Sequence, residues 1–304
     1  MMCKRLVVVL MVAGTMMTAC QEDRTILPDL GMVAVNDLNV AGGGVFDYAD
    51  YAPLANRPLK VWYFTPHDNP KDAPILFVMH GVDRNGQTYR NNWVNLARQH
   101  NVLLIVPEFS TAHYPGSRMY NQGNMFTSGG TPIPEEEWSF SVIEPLFDHV
   151  VSEIGGNQTQ YHIFGHSAGS QFVSRFLTFK SDLRVNRAIC ANAGTYTLLD
   201  REIGFPYGLS NTGLTDEQID RVLSRDVVIL LGEADTVVDS NLDTSPQANA
   251  QGPHRFARGQ FFYNHLQEVA AGRNLPLAWQ LATVPGVGHS NRLIAPAAMA
   301  LLTP

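Results

Sequence analysis

Ser167 stands in FGHSAGSQ (164–171), between an apolar run and a segment with helical spacing. A serine hydroxyl is too weak an acid to attack a carbonyl unaided. It becomes a nucleophile when a base lies within hydrogen-bond reach and an acid orients that base. Gly165, Ser167 and Gly169 make the pattern G-x-S-x-G, whose small flanking residues let a strand turn sharply into a helix with the hydroxyl exposed. The amide of Ala168, at the helix start, then points to where an oxyanion would form. His289, in PGVGHSN after the last apolar run, is the best base, and Asp235, in LLGEADTVVD, is the best acid. Asp239 is the main rival acid and Glu233 a weaker one. The chemistry these residues could perform together is acyl transfer.

A second oxyanion donor is expected from MHGVDRNG (79–86), where Gly81 allows a close turn and the amide of Val82 is the candidate. Arg84 in the same loop either holds it in place or meets an acidic substrate. Tyr120, Trp138 and Tyr196 are candidates for the substrate wall, although aromatic residues are commoner in cores than in sites. His166 precedes the serine, but adjacent side chains on a strand diverge, so it is expected to pack or hydrogen-bond in a neighbouring wall. His149 and His162 are read as structural. The sequence carries neither H-E-x-x-H nor a cysteine-rich metal pattern, neither a P-loop nor a convincing G-x-G-x-x-G, so no metal and no organic cofactor is expected. QGPHRFARGQ (251–260) matches no motif; its basic residues either shape the site or cap a helix.

Residues placed this way need a scaffold that gathers them. Nearly continuous apolar runs recur at 59–66, 73–81, 101–109, 161–167, 185–193, 226–235 and 278–286, with the first predicted at or near a sheet edge. Between them, 89–99, 142–154, the stretch after Ser167 and 261–271 repeat apolar residues at helical spacing. Thr215 and Gln218 in TDEQIDRVLS (215–224) predict a short helix with a capping box. Such alternation predicts an α/β fold with a mainly parallel sheet and helices on both faces. Ligands of such sheets bind at the carboxyl ends of the strands, where His80, Gly81, Glu108, Ser167, Asp235 and His289 all fall. Two long irregular stretches, 110–137 and 195–225, also leave strand ends and could wall a cleft.

With 304 residues and 45 % hydrophobic content, the chain can bury a full core. Its formal charge of −7 argues against charge-driven binding of nucleic acid or anionic lipid. The start reads differently from the rest. Lys4 and Arg5, the apolar stretch 6–12 and the small residues of MTAC before Cys20 look like a bacterial lipoprotein signal, with cleavage before Cys20 and a lipid on that residue. An ordinary secretory signal with an incidental Cys20 is the alternative. Removal of 1–19 takes two basic residues and leaves −9, with Cys190 the sole free thiol if Cys20 is acylated. Residues 20–56, with GGG at 42–44, are expected to be an anchor and tether, and 57–304 a single catalytic domain. Gln21 after Cys20 favours the outer membrane of a bacterial envelope, with membrane contact through the lipid alone.

MHG (79–81), GHSAG (165–169), LGEAD (231–235) and GVGH (286–289) resemble the α/β-hydrolase family, and within it the secreted esterase branch of polyhydroxyalkanoate depolymerase-like and feruloyl esterase-like proteins. The resemblance spans roughly residues 59–304, and the order Ser167, Asp235, His289 is the family's order. It implies that Ser167 is the nucleophile, Asp235 the acid and His289 the base. It also implies that the amides of Val82 and Ala168 form the oxyanion hole and that small or oligomeric esters are the substrates. A peptidase or amidase of the same fold, and a noncatalytic lipoprotein that binds a ligand in the same cleft, are the competing expectations.

Overall fold

All seven apolar runs become strands of one sheet in the computed structural model, which describes residues 37–302. The predicted signal, Cys20 and the first part of the tether, 20–36, lie outside the described residues. The strands are β1 (Gly42–Tyr48), β2 (Leu59–Thr65), β3 (Ile75–Met79), β4 (Leu103–Glu108), β5 (Tyr161–His166), β6 (Val185–Ala191), β7 (Val227–Gly232) and β8 (Gln280–Val284). Their order across the sheet is β1-β2-β4-β3-β5-β6-β7-β8. β2 pairs antiparallel with both β1 and β4, and every other pairing is parallel.

The helices are α1 (Gly86–Gln99), α2 (Gly116–Met119), α3 (Ile143–Glu153), α4 (Ala168–Phe179), α5 (Asp216–Leu223), α6 (Pro246–Ala250), α7 (Arg255–Gly272) and α8 (Asn291–Leu302). Side chains alternate along each strand, so the sheet feeds two cores. Ile75, Phe77 and Met79 of β3 face the core built with α3, α4, α5 and α7, while Leu76 and Val78 face the one built with α1 and α8. The capping box of α5 is present: Thr215 Oγ1 accepts from Gln218 N at 3.3 Å, and Gln218 Oε1 accepts from Thr215 N at 2.8 Å.

One boundary differs from the sequence reading. The stretch expected to be tether already contains β1, the edge strand. Three glycines weigh against a strand by propensity, but full antiparallel register with β2 supplies the ladder. Tyr48 is buried, and the rings of Phe46 and Tyr48 lie 5.5 Å and 5.1 Å from that of His149 on α3. The folded domain therefore begins well before residue 57.

Trp93 shows how the second core is held together. Fully buried on α1, it packs its ring 4.6 Å from that of Phe164 and donates Nε1–H to Asn291 Oδ1 on α8 at 3.2 Å. Trp93→Ala should cost about 3–5 kcal/mol of stability in denaturant titration. Trp93→Phe should cost about 1–2 kcal/mol, because it keeps the packing and loses the bond. Equal losses in the two variants would show that packing is not the main contribution.

Candidate active site

Parallel strands bring their carboxyl ends to one edge of the sheet, and that geometry gathers the candidate residues. Ser167 follows β5, Asp235 follows β7, His289 follows β8 and Val82 follows β3. Ser167 holds φ 57° and ψ −119°, a conformation that L-residues rarely occupy and that functional turns retain. Its amide donates to Ala191 O at 3.0 Å, tying the turn to β6. The flanking glycines are dictated by space. A Cβ on Gly165 would lie 2.2 Å from Gly169 O, and one on Gly169 would lie 2.1 Å from Met79 O.

Tertiary contacts complete the chain of partners. Ala234 N donates to Val287 O at 2.9 Å and Glu233 N to Val284 O at 3.1 Å, which holds the turn after β7 against the loop after β8. His289 Nδ1 lies 2.8 Å from Asp235 Oδ2, and His289 Nε2 lies 3.0 Å from Ser167 Oγ. A carboxylate only accepts, so Nδ1 carries the ring proton and Nε2 is free to accept from the serine. Asp235 and the His289 side chain are almost fully buried, which strengthens both bonds by excluding water.

The rival acids are engaged elsewhere. Asp239 takes both Arg255 terminal nitrogens, at 2.6 Å and 3.0 Å, and Glu233 accepts from Thr283 Oγ1 at 2.7 Å. Burial opposes ionisation of Asp239, but the bonds and charge of Arg255 outweigh it and hold its carboxyl below the usual range. Arg255 Nη1 also comes within 3.7 Å of Asp235 Oδ1. The unassigned run 251–260 thus does two things. His254 caps α7 by accepting Ala257 N–H at 3.2 Å, and Arg255 buries its charge beside the acid.

His166 is also a wall residue, as expected. Its Nδ1 meets Tyr89 Oη at 2.9 Å and its ring lies 4.6 Å from that of His289. Burial, reinforced by the neighbouring His289 and Arg255, pushes its pKa well below the usual imidazole range and keeps it neutral.

A cavity of about 120 Å³, open to solvent, lies over Ser167. Val82 and Ala168 both line it, where the two expected oxyanion amides belong. The irregular stretches contribute as expected, with Ser117, Asn121 and Gln122 from one and Thr195, Pro206 and Tyr207 from the other.

The four expected wall residues do not line this cavity. Arg84 donates to the carbonyls of Phe109 and Gly116 and lies over the Tyr120 ring at 4.1 Å, so it holds the loop. Tyr120 is fully buried and donates Oη–H to His80 O at 2.7 Å. Trp138 packs on the core and donates Nε1–H to Ile133 O at 2.7 Å, and Tyr196 stacks on Phe262 at 4.4 Å. Large rings gain more from burial than from a wet wall.

His80 belongs to the same support. Phe109 N donates to its Nε2 at 3.0 Å, so Nδ1 carries the proton that Gly81 O accepts at 3.0 Å. Burial pushes its pKa down to about 3.

Gln171, Arg175 and Asp243 line the cavity without having been singled out by sequence, while Arg255 is one of the basic residues of 251–260 expected either to shape the site or to cap a helix. Gln171 and Arg175 carried a signal: they fall four and eight residues after Ser167, on one helical face of α4. Among the described residues, no group of three or more His, Cys, Asp or Glu side chains is placed to hold a metal ion.

No family model matches the sequence, and no curated protein does. Two solved structures match closely. Poly(aspartic acid) hydrolase-1 from Sphingomonas sp. KT-1 is 41 % identical with a TM-score of 0.83, over 86 % of this chain and 98 % of that one. A poly(3-hydroxybutyrate) depolymerase from Bordetella parapertussis is 36 % identical with a TM-score of 0.83, over 88 % of this chain and 91 % of that one. An S-formylglutathione hydrolase from Agrobacterium tumefaciens, 13 % identical with a TM-score of 0.57 over 89 % and 96 %, shares the fold.

Two outcomes separate the carboxylates and test the buried rings. Asp235→Asn should lower kcat by about 10³–10⁴ with the fold intact, because the amide favours the wrong ring tautomer. Asp239→Asn should instead lower stability, since it leaves buried Arg255 only the more distant carboxylate of Asp235; a kcat loss as large as that of Asp235→Asn would exchange the two assignments. The second outcome concerns acid. Folded His80 and His166 refuse protons that the unfolded chain takes up below pH ~6.5. Stability should therefore fall as pH drops from there, by about 1.4 kcal/mol per pH unit for each ring. The His80 share should persist to about pH 3. Denaturant titration across that range checks it, and a flat profile between pH ~6 and ~5 would contradict it.

Proposed function

This chain belongs to the α/β-hydrolase family, with the poly(aspartic acid) hydrolase and the poly(3-hydroxybutyrate) depolymerase it matches, and from that premise we propose that it is a serine esterase working through an acyl-enzyme. The observation that carries the reading is the run of hydrogen bonds from Asp235 through His289 to Ser167, 2.8 Å and 3.0 Å long, ending at an open cavity.

In the proposed cycle His289 Nε2 takes the proton of Ser167 as Oγ attacks the carbonyl carbon, and Asp235 stabilises the imidazolium that results. The amides of Val82 and Ala168 stabilise the oxyanion. Collapse of the tetrahedral adduct breaks the bond to the alkoxy group, which leaves with the proton from His289 and leaves the acyl group on Ser167. Water then attacks the acyl-enzyme, giving its proton to His289, and the proton returns to Ser167 as the acid departs. Positioning of Nε2 opposite Oγ supplies much of the rate, because it fixes the proton acceptor before substrate arrives.

Amide cleavage by the same residues is the second reading. It is favoured by the 41 % identity to the poly(aspartic acid) hydrolase, whose polymer is joined by amide bonds.

Hydrolysis of p-nitrophenyl acyl esters of graded length by the purified protein tests the main reading. Ser167→Ala should fold normally and lose turnover by about 10³-fold or more, and a fluorophosphonate should label Ser167 in the unaltered protein. Undiminished turnover in the variant would remove Ser167 from the chemistry. Turnover of aminoacyl p-nitroanilides with none of the esters would favour the amidase reading.

A further inference from the structure

Along the first two turns of α4, Ser167, Gln171 and Arg175 share one face, and all three line the cavity. Eight residues of helix separate Ser167 from Arg175, about 12 Å between their Cα atoms. Long side chains on a helix tend to lean back over the preceding turn, which here is the turn nearer the serine. Its Nη1 donates to Asn121 O at 2.8 Å, and the Asn121 side chain in turn bonds Gln171, one turn nearer Ser167.

Arg175 is 2 % exposed and fills three of its five N–H donors with neutral oxygens: Thr197 Oγ1 at 2.9 Å, Asn121 O at 2.8 Å and Pro206 O at 3.3 Å. One N–H remains on each terminal nitrogen, the number a carboxylate takes in a two-point contact. No carboxylate of the described residues lies within ion-pair distance of it. Burial pushes its pKa down to about 10, which leaves it cationic at neutral pH.

Of the other charges that line the cavity, Arg255 has a carboxylate partner and Asp243 has neutral donors. Arg255 in the same cavity is neutralised by Asp239. Asp243, exposed on the cavity wall, accepts from Tyr207 Oη at 2.5 Å and Ser245 N at 2.9 Å. Arg84 and Arg258 also bond to neutral oxygens, but neither lines the cavity. Arg175 alone of the three turns an uncompensated charge toward the space beside Ser167, and a buried charge of that kind is stabilised by an occupant of opposite sign.

We propose that Arg175 forms an anion subsite for a carboxylate carried on the substrate, a few bonds from the carbonyl that Ser167 attacks. The substrate class is then a half-ester or acidic oligomer in preference to a neutral acyl chain. The inference rests on the hydrolase reading for the role of Ser167; binding of the anion does not depend on turnover.

Calorimetry on the full chain carrying Ser167→Ala, which removes hydrolysis, tests it with monomethyl glutarate against dimethyl glutarate. The monoanion should bind at least about tenfold tighter than the diester. Adding Arg175→Gln should abolish that preference, so that monoanion and diester bind alike. Equal binding of the two ligands, binding of neither, or a preference that survives Arg175→Gln would overturn the proposal. Should Arg175→Gln fail to fold, a crystal structure with monomethyl glutarate decides: the carboxylate on Arg175 Nη1 and Nη2 supports the subsite, and any other placement overturns it. Hydrolysis of neutral p-nitrophenyl acetate by the unaltered protein, run in parallel, separates the two readings. Anion preference without turnover keeps the subsite and removes the hydrolase; turnover without the preference does the reverse.

Discussion

Gly169 sits so close to Met79 that one methyl group added to it would land 2.1 Å from the Met79 carbonyl oxygen. That contact presses the start of α4 against the end of β3, beside β5. It brings the Ala168 amide, the Ser167 hydroxyl and the Val82 loop to one place, and it forces Ser167 into its positive φ. A turn with ordinary side chains on either side of the serine would hold strand and helix apart. Hydroxyl and amides would then separate, and a cavity would have nothing to present to a carbonyl.

Around that turn, buried polarity is sorted by what each group can bond. Asp235 orients His289, and Asp239, four positions on in the same loop, neutralises Arg255. His80 spends both ring nitrogens and Arg84 both terminal nitrogens on backbone groups of the neighbouring loops, and Tyr120 closes over both. None of these three lines the cavity, yet they fix the path of the 79–86 loop that carries Val82. Such bonds restrain the loop that carries Val82.

The fold was legible because its strands are buried on both faces. Runs such as APILFVMHG and DVVILLGEAD have no polar alternation to confuse with a surface strand. β1 was hidden for the opposite reason: GGG gives no side chains to read, and the strand exists through pairing with β2 and the packing of Phe46 and Tyr48. The wall residues were misplaced because an aromatic ring in a loop looks the same in sequence whether it lines a cavity or fills the space behind one.

Local sequence determined the serine turn, the parallel sheet and the strand ends at which Ser167, Asp235 and His289 stand, since each depends on residue size or apolar periodicity within a short window. That Asp235 and not Asp239 meets His289 was decided only by tertiary structure. The two differ by four positions in one loop, and what separates them is that the loop after β8 docks on Gly232–Asp235 through backbone hydrogen bonds while Arg255 arrives from α7 to occupy Asp239. The bare charge of Arg175 was likewise beyond the sequence. Whether a guanidinium has a counter-ion depends on every chain segment that packs against it, and here those are the loops that carry Asn121, Thr197 and Pro206, all outside α4.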